Sequence, residues 1–160
     1  MTQSPWQTVT SVNFERQQFY GWDFSWFAVD SDNCIAQFTT GFGAMPKKLF
    51  ESKQDYDRVS TYFENAPNYS SSLLSKSANA LQNKGIGNFS IALEEARKGI
   101  FIYDEENYGT VHRLYALPKS PIKLESLEYF VQEYIENFRI RDLKFSETEE
   151  IDIAKKFVCE

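Results

Sequence analysis

Histidine is nearly absent from this sequence: His112 stands alone among 160 residues. That scarcity excludes a histidine-rich zinc site and a histidine pair. Any serine or cysteine triad would rest on one side chain between Val111 and Arg113, and the chain has no Gly-x-Ser-x-Gly nucleophile turn. His112 therefore reads as a structural or surface residue. Cysteine is almost as scarce. Cys34 and Cys159 lie far apart, no disulfide framework is legible in two cysteines, and a reducing compartment is the expectation. Long apolar runs are missing too. Nothing approaches the ~20 residues of a membrane-spanning helix, and Met1 to Phe19 lack the apolar stretch of a secretory signal. A cytoplasmic protein with no membrane partner is expected. Basic charge is outweighed, with 17 Lys and Arg against 23 Asp and Glu and a net charge of −6. Residues 125–160 hold ten acidic side chains against five basic ones. This bias argues against DNA or RNA as partner, because nucleic-acid affinity comes largely from Lys and Arg neutralising phosphates.

Aromatic residues, by contrast, are plentiful at 16%, so much of the core must consist of flat rings. A chain of this length fits a single domain, here residues 1–160, able to bury roughly 70% of the surface its unfolded form exposes. The clearest local pattern is Trp22 to Asp30, then Ser31-Asp32-Asn33, then Cys34 to Thr40. β-branched and aromatic residues flank an Asp/Asn cluster suited to a tight turn, which predicts a β-hairpin with its tip at 31–33. Period-two spacing puts Trp22, Phe24, Trp26 and Ala28 on one face, and helices are expected to cover that face. Core packing is the expected use of the stripe, and an aromatic pocket formed by Trp22, Phe24 and Trp26 is the alternative.

Further on, Ser52 and Asp55 match a capping box, and Tyr56, Val59 and Phe63 recur at helical spacing, predicting a helix over 53–64. Leu73, Leu74, Ala78 and Leu81 predict a second helix that Gly85 or Gly87 ends, and a third is expected over 89–98. Residues 100–103 and 110–117 read as a second hairpin. The strongest apolar stripe, Leu127, Phe130, Val131, Tyr134 and Phe138, predicts a helix over 125–139 whose other side carries Glu125, Glu128, Glu133 and Glu136. A short strand over 142–145 and a helix over 151–157 complete the expected chain. The fold class is α+β: a mainly antiparallel sheet built from two hairpins, about 22–40 and 100–117, packed against several amphipathic helices.

No motif supplies catalytic chemistry. Gly41-Phe42-Gly43 precedes Pro46, Lys47 and Lys48, and it reads as a tight turn rather than a phosphate loop, since no Gly-Lys-Ser/Thr follows. Asp30-Ser31-Asp32-Asn33 opens like a calcium loop, but Ile35 occupies the obligatory glycine position and Gly41 the glutamate position. Asp30 and Asp32 are expected to serve turn geometry. The pairs Glu94-Glu95 and Asp104-Glu105-Glu106 are expected to be solvated charges. No metal or cofactor is implied.

The segments Trp22-Asp23, Phe27-Ala28-Val29-Asp30, Asp32, Ile35-Ala36, Phe38-Thr39-Thr40-Gly41 and Pro46 carry a resemblance. So do Gly99-Ile100-Phe101-Ile102-Tyr103-Asp104, Tyr115, Leu117-Pro118, Pro121-Ile122 and Leu124. Together, over about a third of the chain, they resemble a family of small uncharacterised bacterial proteins. In scale and style that family is similar to the immunity proteins that bacteria pair with polymorphic toxins. This sequence departs from the pattern at the hairpin tip, where Asn33 stands in place of glycine. The resemblance implies a fold and a bacterial source, with no catalytic residue to carry over.

The function expected from these features is a non-enzymatic interaction protein, toxin-neutralising in type, that binds a basic protein partner through Glu125, Glu128, Glu133 and Glu136. A small-molecule binding module with an aromatic cleft is the alternative, and a metal-dependent hydrolase using Asp30 and Asp32 is the third reading.

Overall fold

The computed structural model describes residues 23–41, 43–106 and 109–159. The first hairpin forms as its pattern predicts: β1 (Phe24–Val29) pairs antiparallel with β2 (Ile35–Thr40), in a register that sets Trp26 opposite Phe38 and Val29 opposite Ile35. At its tip Asn33 has φ +62°, the left-handed conformation that glycine adopts most readily and asparagine tolerates. Asn33 therefore supplies the backbone geometry that glycine would also have given this turn. Asp30 holds the turn from inside. Its Oδ1 accepts the Asp32 and Cys34 N–H groups, each at 2.9 Å, while Oδ2 accepts the Phe145 N–H at 2.8 Å.

Next comes α1 (Lys53–Glu64), where the Ser52 side chain caps the helix by accepting the Asp55 N–H and Tyr56, Val59 and Phe63 are buried. The pair Leu73-Leu74, expected in a helix, instead belongs to an edge strand, β3 (Ser72–Leu74), and the helix α2 (Lys76–Asn83) starts only after the Ser75 cap. An apolar pair at a helix boundary is ambiguous in period, and here pairing with Leu117 and Ala116 decides it. Helix α2 ends as expected at Gly85 (φ +71°): the Gly85 N–H bonds Gln82 O and the Ile86 N–H bonds Leu81 O, the paired closing bonds of a Schellman turn. Helix α3 (Ser90–Ala96) leads into the second hairpin, β4 (Phe101–Glu105) and β5 (Val111–Pro118). A bulge between Ile102 and Tyr103 leaves Tyr115 as the extra residue of β5.

The two hairpins are joined through β2 and β4, which run parallel. Strand order is β1-β2-β4-β5-β3, and β6 (Glu150–Asp152) also pairs with β5, so the sheet is mixed, with one parallel pair among antiparallel ones. A parallel pair needs a long crossover; the chain between Thr40 and Phe101 supplies it with α1, β3, α2 and α3. The strand expected over 142–145 is not formed, and the segment expected as a helix over 151–157 is β6 followed by a 3-10 turn, Ile153–Lys155. Pairing with Val111, His112 and Arg113 holds residues 150–152 extended instead.

Both sheet faces are buried, by different means. Helices cover the face of Phe27, Val29, Ile35 and Ile102, packing Val59 and Phe63 of α1, Ala96 of α3, and Val131 and Ile135 of α4 (Tyr129–Glu136) against it. The aromatic face of Phe24, Trp26, Phe38 and Tyr103, where helices were expected, is covered mainly by irregular chain carrying Met45, Leu49, Phe138, Ile140, Phe145 and Ile153. Helix α4 is shorter than expected, because Leu127 and Glu128 are extended (ψ 165° and 150°) and a 3-10 turn, Leu124–Ser126, precedes them. Past α4 the chain wraps the β1 edge, where the Val29 N–H bonds Phe138 O and the Ile140 N–H bonds Val29 O. The Tyr56 hydroxyl donates to Ser25 O, so the edge strand is blunted at both ends.

Three substitutions test this account. Asp30→Ala strands three N–H groups, two of them buried, and should cost about 5 kcal/mol or more, since bonds to charged groups contribute ~1.5–3 kcal/mol each. Asp30→Asn should cost about half as much, because one amide oxygen can still accept the two turn N–H groups while its NH₂ faces the Phe145 N–H. Trp26→Ala should lose ~3–5 kcal/mol, as large-to-small core changes do. Urea unfolding curves measure all three.

Candidate functional site

The four glutamates expected to bind a partner all lie exposed on or beside α4. They are not equivalent. Glu136 is held by Arg139 through both carboxylate oxygens, at 2.8 and 2.6 Å, which keeps its carboxyl below the usual range. Arg139 in turn donates to Asp30 O at 2.7 Å. Glu125 accepts from Asn33 Nδ2 at 2.9 Å. The Glu133 carboxylate beside the exposed Tyr129 phenol raises that hydroxyl's pKa. The structure spreads these carboxylates along a 3-10 turn and two turns of helix.

What the sequence did not reveal is the groove beside them. Helices α1 and α4 meet across a cavity of about 190 Å³ lined by Asp55, Arg58, Phe130, Glu133, Tyr134 and Asn137, with Val59 at its base. The Arg58 guanidinium lies 4.4 Å from the Phe130 ring centroid, a cation-π contact. Among the described residues neither Asp55 nor Arg58 forms an ion pair. The Tyr134 hydroxyl is buried without a hydrogen-bond partner there, and burial, with Asp55 nearby, pushes its pKa up. Phe130 and Tyr134 belong to the apolar stripe that predicted the helix. Only the approach of α1 turns them into a groove wall.

The aromatic residues lie elsewhere. Trp26 is fully buried and Phe24 is 3% exposed; Trp22 lies outside the described residues. Trp26 stacks on Phe38 with centroids 4.6 Å apart, and Phe38 on Tyr103 at 5.0 Å, so the stripe continues into the core as a row of rings. At its edge the Trp26 indole donates to Thr40 Oγ1 at 3.2 Å, and Thr40 Oγ1 lies 2.7 Å from His112 Nε2. His112 is wholly buried. Burial pushes its pKa down to about 4; the Thr110 backbone and the Glu105 charge pull the other way, and Nδ1 has no partner in hydrogen-bonding geometry among the described residues. The ring is neutral near pH 7.

The carboxylates expected in solvent at 104–106 prove instead to be partly buried. Glu105 accepts the Gly41 N–H at 2.7 Å through Oε1 and the Gly43 N–H at 2.8 Å through Oε2. A Cβ at Gly43 would lie 2.2 Å from Gly109 O, so the close approach requires glycine. The backbone donors that an anion would need at this turn are thus held by the protein's own carboxylate. Burial raises the pKa of Asp104 to about 6, Asp23 and Glu105 reinforce the shift, and the Glu105 N–H opposes it. Asp30 is committed to backbone donors, and Asp32 is exposed with Lys123 Nζ 3.6 Å away. Among the described residues no group of three or more His, Cys, Asp or Glu is placed to hold a metal ion.

His112 and Asp104 act oppositely on stability. Folded His112 binds fewer protons than its unfolded form between pH 6.5 and about 4, so its neutral form loses the molecule about 3 kcal/mol as pH falls through that window. Folded Asp104 binds more protons than its unfolded form between about pH 6 and 3.8, so it returns stability over nearly the same range. Asp104→Asn should therefore steepen the fall in stability between pH 6.5 and 4 relative to wild type, measured by urea unfolding at half-unit pH steps.

Comparison with protein-family models, with curated proteins and with solved structures gave no match.

Proposed function

We propose that the chain is a non-enzymatic bacterial interaction protein, of the immunity type that neutralises a toxin, and that it binds a basic protein partner through the acidic side of α4. The observation that carries this reading is the α1–α4 groove, where Asp55 and Glu133 line the same recess as Phe130, whose ring already carries the Arg58 guanidinium. A lysine or arginine from a partner would find two carboxylates, Asp55 and Glu133, in one recess. Exposed Glu125 and Glu128 extend the same field along the rim. Rim charges of this kind act chiefly on the rate of encounter. The toxin-neutralising part of the reading draws on the resemblance to small bacterial proteins.

The test replaces Glu125, Glu128 and Glu133 with Gln and leaves Glu136 in place, because it positions Arg139 against Asp30. Stability should change by less than about 0.5 kcal/mol per site, as is usual at exposed positions. Association with a partner captured from bacterial extract and then identified should slow by at least tenfold, and its salt dependence should flatten. Stopped-flow kinetics at two ionic strengths read both effects. Unchanged rates would remove the acidic face from the binding surface.

A further inference from the structure

A second and larger recess opens on the other side of α1. It has a volume of about 400 Å³, within the range of small-molecule sites. Its floor is the helix-covered face of the first hairpin, at the end where the apolar pattern stops. There the strands present Ser25, Gln37 and Thr39 instead of the Val29 and Ile35 found further along. Ser25 and Thr39 are cross-strand partners with hydroxyl oxygens 3.4 Å apart. Gln37 is half-buried, and its carboxamide makes no hydrogen bond among the described residues. Two residues along a strand is ~7 Å, so these groups form a short row of neutral donors and acceptors that matches the hydroxyls along one sugar ring. Apolar surface lies beside this row: Phe27 and Phe63 stack with centroids 4.2 Å apart, and Ile91 of α3 is 73% exposed at the rim.

The charges at the rim select against anions. Among the described residues Lys98 is the only cation lining the recess, and its ammonium donates to Phe63 O at 2.8 Å and Glu64 O at 3.5 Å and pairs with Glu95 at 3.1 Å. An ammonium has three N–H groups, and these three partners account for them. Glu64 makes no ion pair among the described residues. A phosphate or carboxylate would meet spare negative charge and no free positive charge.

We infer that this recess between α1 and α3 binds a small uncharged or amine-bearing polyol, a monosaccharide or amino sugar, on the Ser25, Gln37 and Thr39 floor. Hydroxyls of the ligand face the floor and its C–H surface lies against Phe27, Phe63 and Ile91. An amino group reaches Glu64. The site is separate from the α4 face, so its test leaves the protein-binding reading untouched.

The experiment is a titration of the isotope-labelled full chain with glucose, glucosamine and glucose 6-phosphate, followed by amide NMR. Glucose and glucosamine should give saturable shifts at the backbone amides of Ser25, Gln37 and Thr39 and at the Gln37 side-chain amide. Glucosamine should bind more tightly, and glucose 6-phosphate at least tenfold more weakly than glucose. Gln37→Leu should weaken binding at least tenfold with the unfolding midpoint kept; should that variant fail to fold, Ser25→Ala is read in its place. Absence of saturable shifts at the three floor residues up to roughly 100 mM glucosamine would overturn the inference. So would equal binding of the phosphorylated sugar, or undiminished binding in the variant.

Discussion

Three backbone N–H groups converge on the Asp30 carboxylate, from Asp32, Cys34 and Phe145, in a side chain only 1% exposed. A buried carboxylate is tolerated when charge-assisted bonds replace its lost hydration, and here each bond has a structural consequence. Two of them close the first hairpin and let Asn33 take its left-handed turn. The third ties that hairpin to a segment 115 residues away in sequence. Arg139 adds a bond to the Asp30 carbonyl and Ser31 adds two to Leu143 O, through its N–H and its hydroxyl. The carboxylate therefore determines where the chain leaving α4 crosses from one sheet face to the other.

That crossing explains how an aromatic face can be sealed without helices. Trp26, Phe38 and Tyr103 already fill much of the layer as stacked rings, so the covering chain has to supply only one or two large side chains per turn. Leu49 and Phe50, Phe145, and Ile153 do this from three separate 3-10 turns. Such turns are short because their hydrogen bonds are poorer than those of an α-helix. They persist here because each is pinned by packing, and by bonds such as the Tyr103 hydroxyl to Thr148 O at 2.6 Å. Neutral His112, joined to Trp26 through Thr40, belongs to the same layer.

Helix α1 lies at the β1 edge and contributes to both cores, Tyr56 to one and Val59 and Phe63 to the other. A helix in that position cannot close against both of its neighbours, and a recess remains on each side. The recess toward α4 is acidic and aromatic. The one toward α3 has a neutral polar floor, because the hairpin's pattern turns polar where no helix rests on it. The proposed protein-binding and polyol-binding surfaces thus follow from the placement of one helix.

By itself the sequence determined the local elements whose signals are local. Among these are the first hairpin with its turn, α1 with its Ser52 cap, the Gly85 stop of α2, the second hairpin, and the apolar and acidic sides of α4. Each depends on residues a few positions apart, and side-chain period and capping chemistry act at that range. Tertiary structure alone decided the parallel joining of the hairpins, the strand character of Leu73-Leu74 and of Glu150–Asp152, and the face on which the helices lie. It also decided that Glu105 would clamp Gly41 and Gly43, that Glu136 would be committed to Arg139, and that Arg58 and Phe130 would share a groove with Glu133. The physical reason is that a short apolar segment satisfies either period. Its choice, like the partner of a buried or half-buried charge, is made by backbone and side-chain groups that come from distant parts of the chain and meet only in the folded molecule.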